Sequence, residues 1–128
     1  MQKQLLIIDD DQELCEELTD ILIDEGLTVI TANDGIQGME RIQNSSNDLI
    51  LLDLKLPGKN GIQILNEMDS KKNAQPVFII SGGFPGEDLP ETLTDYPNVK
   101  QVLGKPLNIP ELIQKIDITL NQSNNRDK

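Results

Sequence analysis

The chain has 128 residues, a length that suits one domain around a single core, and its apolar runs fall far short of the roughly 20 residues a membrane-spanning helix needs. Its 22 acidic and 11 basic residues give a net charge of −11, which repels phosphate backbones and anionic membranes, so direct nucleic-acid contact and membrane insertion are disfavoured. Histidine is absent, which excludes Ser-His catalysis, histidine metal ligands and phosphohistidine on this chain, and leaves its chemistry to carboxylates, hydroxyls and lysines.

The single cysteine, Cys15, permits no internal disulfide, and its place among apolar helix positions reads as a small buried side chain. Phe78, Phe84 and Tyr96 are the only aromatics, too few for a base-stacking platform. The N-terminal segment MQKQLLIIDDD reaches acid too early for a signal peptide, so a cytoplasmic location is expected.

In chain order, QLLII at 4–8 reads as a strand. DQELCEELTDILIDEG at 11–26 follows as a helix with Leu14, Leu18, Ile21 and Leu22 on one face, Asp11 as N-cap and Gly26 as its stop. TVITA at 28–32 is a second strand, and DGIQGMERIQ at 34–43 carries Ile36, Met39 and Ile42 at helical spacing. DLILLD at 48–53 is the third strand. Its apolar run from Leu49 to Leu52 is uninterrupted, as expected of a parallel strand buried on both faces. NGIQILNEMDSKK at 60–72 gives a helix with Ile62, Leu65 and Met68 on one face, and QPVFIIS at 75–81 the fourth strand. The stretch GGFPGEDLPETLTDYPN leaves room for only a short helix, around Glu87 to Thr94, and is expected to be mobile. VKQVL at 99–103 is the fifth strand. NIPELIQKIDITL at 108–120 closes the fold with Ile109, Leu112, Ile113, Ile116 and Leu120 as its apolar positions. A domain over residues 1–121 and a polar tail without regular structure at 122–128 are expected.

Five alternating strands and helices specify an α/β fold. The expectation is a doubly wound parallel sheet in the order 2-1-3-4-5, with five flanking helices, the fourth short or mobile, and a crevice at the carboxyl ends of the strands. Strand one runs into Asp9 and Asp10, strand three ends at Asp53, strand four at Ser81, and strand five is followed by Lys105. Neighbouring strands one and three bring three carboxylates together. Like charges that close repel unless a cation sits among them, and a few carboxylates with a backbone carbonyl and water suit Mg²⁺. A carboxylate beside Mg²⁺, with an ammonium and a hydroxyl to hold phosphoryl oxygens, is equipped to become an aspartyl phosphate.

The motifs LLIIDDD, DLILLDLKLPGKNG, PVFIISGG and VLGKPLNIPEL, in this order and spacing, resemble the receiver domains of bacterial two-component response regulators, whose fold is flavodoxin-like. The resemblance runs from about residue 4 to residue 120. It implies that Asp53 is the phospho-acceptor, Asp10 the direct Mg²⁺ ligand, Asp9 a ligand mainly through water, and the Lys55 carbonyl a further ligand. It also implies that Ser81 contacts the phosphoryl group, that Lys105 pairs with it, and that the Lys105-Pro106 bond is cis. The donor would be a sensor histidine kinase or His-phosphotransfer protein, and the recipient of the signal a downstream protein or an output domain. The chain would then be a signalling module, active at most in its own phosphorylation and dephosphorylation. An alternative is a Mg²⁺-dependent phosphatase or phosphotransferase that forms the same intermediate on a small substrate. Val102 stands where many receivers carry an aromatic reporter, so the change of surface on phosphorylation is expected either to be smaller or to use Phe84 or the short fourth helix instead. The Lys55 side chain is placed at the pocket rim, and Gly83 is expected to leave that rim open.

Overall fold

The computed structural model describes residues 2–82 and 91–126, the backbone alone at 91–92 and 122–126. Strands β1 (Gln4–Ile8), β2 (Thr28–Ala32), β3 (Leu49–Asp53), β4 (Val77–Ser81) and β5 (Val99–Gly104) alternate with helices α1 (Gln12–Asp24), α2 (Gly35–Asn44), α3 (Gly61–Ser70) and α4 (Ile109–Arg126). All neighbouring strands are parallel, and the sheet order is β2-β1-β3-β4-β5. This is the doubly wound order expected from the sequence.

Two apolar layers hold the sheet. Successive side chains of a strand point to opposite faces, so Ile50 and Leu52 join Leu6, Ile8, Met39, Ile64 and Met68 on one side. Leu49 and Leu51 join Leu5, Ile7, Leu18, Phe78 and Leu112 on the other. Every residue from Leu49 to Leu52 is wholly buried, which is why β3 shows no polar alternation. Each such side chain contributes roughly 1.5–3 kcal/mol relative to an exposed one.

The helices start where short polar side chains cap them. Asp11 Oδ1 accepts from Leu14 N at 3.1 Å, Asp34 Oδ1 from Gln37 N at 2.7 Å, and Asn60 and Gln63 form a reciprocal capping box. Beyond the last turn of α1, Gly26 takes φ +91°, which turns the chain toward β2.

Four features differ from the sequence expectation. Ile36 is not on the buried face of α2 but 58% exposed, and Gly35 and Gly38 form that face with the expected Met39 and Ile42. The helix packs so closely that a Cβ on Gly38 would come within 2.7 Å of Ile8 Cγ2. Ile21, assigned to the buried face of α1, is only half-buried, and Cys15 fills that face with Leu18 and Leu22. Helix α4 runs through Arg126, so the backbone at 122–126 is helical where an irregular tail is expected. Once four turns are nucleated, each added residue costs little. Finally, four α-helices are present among the described residues, and a 3-10 helix at Glu91–Asp95 stands where the short fourth helix is expected. Pro97 follows closely and disfavours helical backbone at Tyr96. The remainder of that segment, with the readings placed on Gly83 and Phe84, lies outside the described residues.

At the opposite end of the sheet from the strand carboxyl termini, side-chain amides close the fold. Asn47 is buried, its Nδ2 donates to Gln75 Oε1 at 2.9 Å, and its Oδ1 accepts from Gln4 Nε2 at 3.0 Å. Gln75 Nε2 in turn donates to the Ile42 carbonyl at 3.1 Å.

Candidate functional site at the carboxyl edge of the sheet

Strand parity aims the charged residues. Leu5 and Ile7 face the α1/α4 layer, and two residues on in each case so do Leu49 and Leu51 and, in β5, Leu103. The same alternation carried past the strand ends turns Asp9, Asp53 and Lys105 toward one crevice. The ladder extends far enough to enforce it. Asp9 N donates to Ala32 O at 3.1 Å, and Lys105 N to Ser81 O at 2.8 Å.

The result is a crowded rim. Asp9, Asp10 and Asp53 each offer a carboxylate oxygen within 4.8 Å of the others. Asp9 and Asp53 are buried and Asp10 is exposed. Lys105 Nζ lies 2.9 Å from Asp9 Oδ2 and 3.3 Å from Asp53 Oδ2, bridging the buried pair. Backbone donors hold the other oxygens: Asp11 N to Asp9 Oδ1 at 2.9 Å and Lys55 N to Asp53 Oδ1 at 3.1 Å. Asp9 Oδ2 is close enough to Lys105 for an ion pair but makes no aligned hydrogen bond, so a fully buried oxygen keeps unused acceptor capacity. That spare acceptor capacity, in a donor set made only of hard oxygens, fits a hard divalent cation such as Mg²⁺.

The electrostatics follow from burial. Burial pushes the Asp53 carboxyl above the ordinary carboxylate range and the charge of Asp9 pushes it further, against the opposing Lys55 N–H and Lys105. Burial also works against the Lys105 ammonium, but its contacts with Asp9 and Asp53 outweigh it and hold the group above the usual lysine range. Beneath the rim, the Cys15 thiol donates to the Asp9 carbonyl at 3.5 Å and is pushed up to about 11, first by burial and then by Asp9 and Asp11.

Every site residue expected from the sequence falls at this edge. Asp53 and Ser81 are the last residues of β3 and β4, and Ser81 is paired with Gly104 across to β5. The Lys105-Pro106 peptide is cis. Lys55 is exposed at the rim, two residues past Asp53. Val102 pairs with Ile79 and packs against the α2/α3 layer. Sequence reasoning missed the backbone donors, which carry no residue signal, and Gly61. A Cβ at Gly61 would stand 2.8 Å from the Asp53 carbonyl oxygen and 2.8 Å from Leu54 Cα, so α3 can begin against the acid only with glycine there.

The sequence matches the Response regulator receiver domain family over residues 5–117. It is 38% identical over 120 residues to the Transcriptional regulatory protein CpxR homolog of Haemophilus influenzae, covering 94% of this chain and 51% of that protein. To Transcriptional regulatory protein CpxR of Escherichia coli K12 it is 35% identical over 120 residues, with 94% and 50% covered. The chain thus spans about half the length of the curated relatives it matches. Among solved structures, a CheY-like response regulator receiver domain protein from Methanospirillum hungatei superposes with a TM-score of 0.86 at 26% identity, over 98% of this chain and 99% of that one. The response regulator TrrA of Thermotoga maritima, solved in complex with Mg²⁺-BeF, shares the fold at a TM-score of 0.75 and 23% identity, over 92% and 99% of the two chains. On a match that takes in every strand and all the rim acids, this chain belongs to the response regulator receiver domains, the signalling modules of two-component systems.

Proposed function

We propose that this chain accepts a phosphoryl group on a carboxylate oxygen of Asp53 from a phosphohistidine donor, a sensor kinase or His-phosphotransfer protein. The observation that carries the reading is the buried Asp53 carboxylate held within 4.8 Å of two further acids and 3.3 Å from Lys105 Nζ. The new P–O bond forms to Asp53 as the donor's P–N bond breaks, and the imidazole leaves with the bonding pair and takes up a proton. The Lys55 N–H bond to Oδ1 orients the carboxylate for this attack. Lys105, which already faces Oδ2, transfers its ammonium to the phosphoryl oxygens, and the hydroxyl of Ser81 donates to one of them.

Asp9, Asp10, Asp53 and the Lys55 carbonyl would hold Mg²⁺, and the spare acceptor capacity of Asp9 Oδ2 supports that fit. Mg²⁺, when bound, supplies the positive charge that lets the carboxylates stay ionised together and neutralises transferred oxygens. The protein signals by changing the surface around β4 and β5 rather than by turning over a substrate, and passes its state to a protein target or an attached output domain. No helix among the described residues is long and apolar enough to cross a membrane, which accords with a cytoplasmic site of action.

The test is phosphorylation by acetyl phosphate or a phosphohistidine protein, followed by phosphorus NMR. One Mg²⁺-dependent acyl phosphate per chain, absent from Asp53→Asn, is expected. Steady hydrolysis of free phosphomonoesters instead would favour the phosphatase alternative.

A further inference from the structure

We propose that Gly35, at the first position of α2, is a positioning residue for the loop at 54–60, holding it so that the Lys55 carbonyl faces the acidic rim. The proposal rests on the magnesium reading above and names a residue that reading does not use.

The loop leaves Asp53, passes beside the first turn of α2 and returns into α3. Its near end is fixed by Lys55 N on Asp53 Oδ1 at 3.1 Å and by Gly61 N on the Leu54 carbonyl at 2.9 Å. Its far end is fixed by α2. Gly35 N donates to the Pro57 carbonyl at 3.2 Å, and that carbonyl also accepts from Lys59 N at 3.1 Å. The approach is backbone on backbone. A Cβ on Gly35 would stand 1.5 Å from the Lys59 carbonyl oxygen, 2.4 Å from its carbon and 2.8 Å from Lys59 Cα. The three nearest atoms are all backbone, so the Lys59 peptide itself would have to retreat by about 1.5 Å to regain the 3.0 Å that real Cβ contacts keep.

Ile36 adds a cover. Gly58 sits at φ +80°, and a Cβ there would meet Ile36 Cδ1 at 3.3 Å, so this isoleucine lies over the loop tip. That placement accounts for an exposed apolar side chain on α2. The helix is itself anchored at this point, because Gly38 packs on Ile8 in the core and Asp34 caps the first turn. From Ile8 through Gly38 and Gly35 to Pro57, a run of close contacts connects the core of β1 to the loop that carries Lys55. A ligand atom two residues from such an anchor is placed by it, as outer contacts place the ligands of metal sites in general.

The experiment is a Mg²⁺ titration followed by amide NMR. In the unsubstituted protein the Gly35 amide should shift with the same midpoint as the amides of Asp10 and Lys55. Gly35→Ala should weaken Mg²⁺ binding about tenfold or more. Ile42→Val, in the core of the same helix, should lower the melting temperature and leave the Mg²⁺ Kd unchanged. Should Gly35→Ala fail to fold, Asp34→Ala, which loosens the same turn by removing its cap, should weaken binding to a lesser degree. A Gly35 amide that stays still while Asp10 and Lys55 respond, or a folded Gly35→Ala with the original Kd, overturns the positioning role. If Asp10 and Lys55 are themselves silent, the metal site fails first and takes the positioning role with it.

Discussion

Replacing Asp53 with asparagine should make the metal-free protein more stable, although it removes the residue on which function turns. At an effective dielectric of about 20, unit charges 4.8 Å apart repel by about 3.5 kcal/mol, and attraction to Lys105 across 3.3 Å returns about 5 kcal/mol. Asp53 faces two such acids and shares one lysine with Asp9, and solvent screens the exposed Asp10. What remains, added to the burial of the carboxylate, puts the gain from a neutral isostere on the order of 1–2 kcal/mol. Asparagine keeps an oxygen for the Lys55 N–H, and Lys105 keeps Asp9. For a domain of this size the gain amounts to about 3–8 °C in melting temperature.

The pH dependence fixes the sign. The folded-state pKa of Asp53 is raised, so between the ordinary carboxylate range and that higher value the folded protein binds more protons than the unfolded one, and stability falls as pH rises. The advantage of Asp53→Asn should therefore grow as pH rises through that raised pKa and vanish in acid, where Asp53 is protonated in both states. Calorimetric melts in EDTA across this range, repeated at saturating Mg²⁺, read both effects. Added Mg²⁺ should stabilise the unsubstituted protein and narrow the gap. A variant that melts lower than its parent in EDTA at neutral pH, or whose advantage persists unchanged in acid, refutes the reasoning.

Gly38→Ala should cost about 1–3 kcal/mol, read from urea denaturation, because its methyl would press on Ile8 Cγ2 at 2.7 Å inside a full core. Asn47→Ala strips bonds to Gln4 and Gln75 and should cost about 1–3 kcal/mol by the same assay. Phosphorylation should survive it, since this network sits at the other end of the sheet. The Cys15 thiol, buried and pushed up to about 11, should resist alkylation at neutral pH until urea unfolds the chain. Rapid labelling of the folded protein would contradict its placement beneath Asp9.

The strands were legible because both-face burial writes itself as unbroken apolar runs, and the acids and lysine that end those runs fall where the sheet order brings them together. Parity adds more than the runs alone. Counting Leu5, Ile7, Asp9 in steps of two puts Asp9 and Asp10 on opposite faces, though the residues are identical neighbours. What stayed hidden was carried by groups without hydropathy. Gly35 and Gly38 form the close face of α2 with the expected Met39 and Ile42, so of the three spaced apolar residues Ile36 alone lies off it. Asn47 and Gln75 look like loop polars until the fold sets them side by side. The Lys55 and Asp11 amides belong to backbone, which no residue choice announces.

The most direct trial of the acceptor is chemical. The chain is treated with Mg²⁺ and acetyl phosphate, reduced with borohydride, which converts an aspartyl phosphate to homoserine, and mapped by peptide mass spectrometry. The homoserine should appear at position 53 and nowhere else. Reduction at position 9 or 10, or none at all in a folded, Mg²⁺-loaded protein, would contradict it.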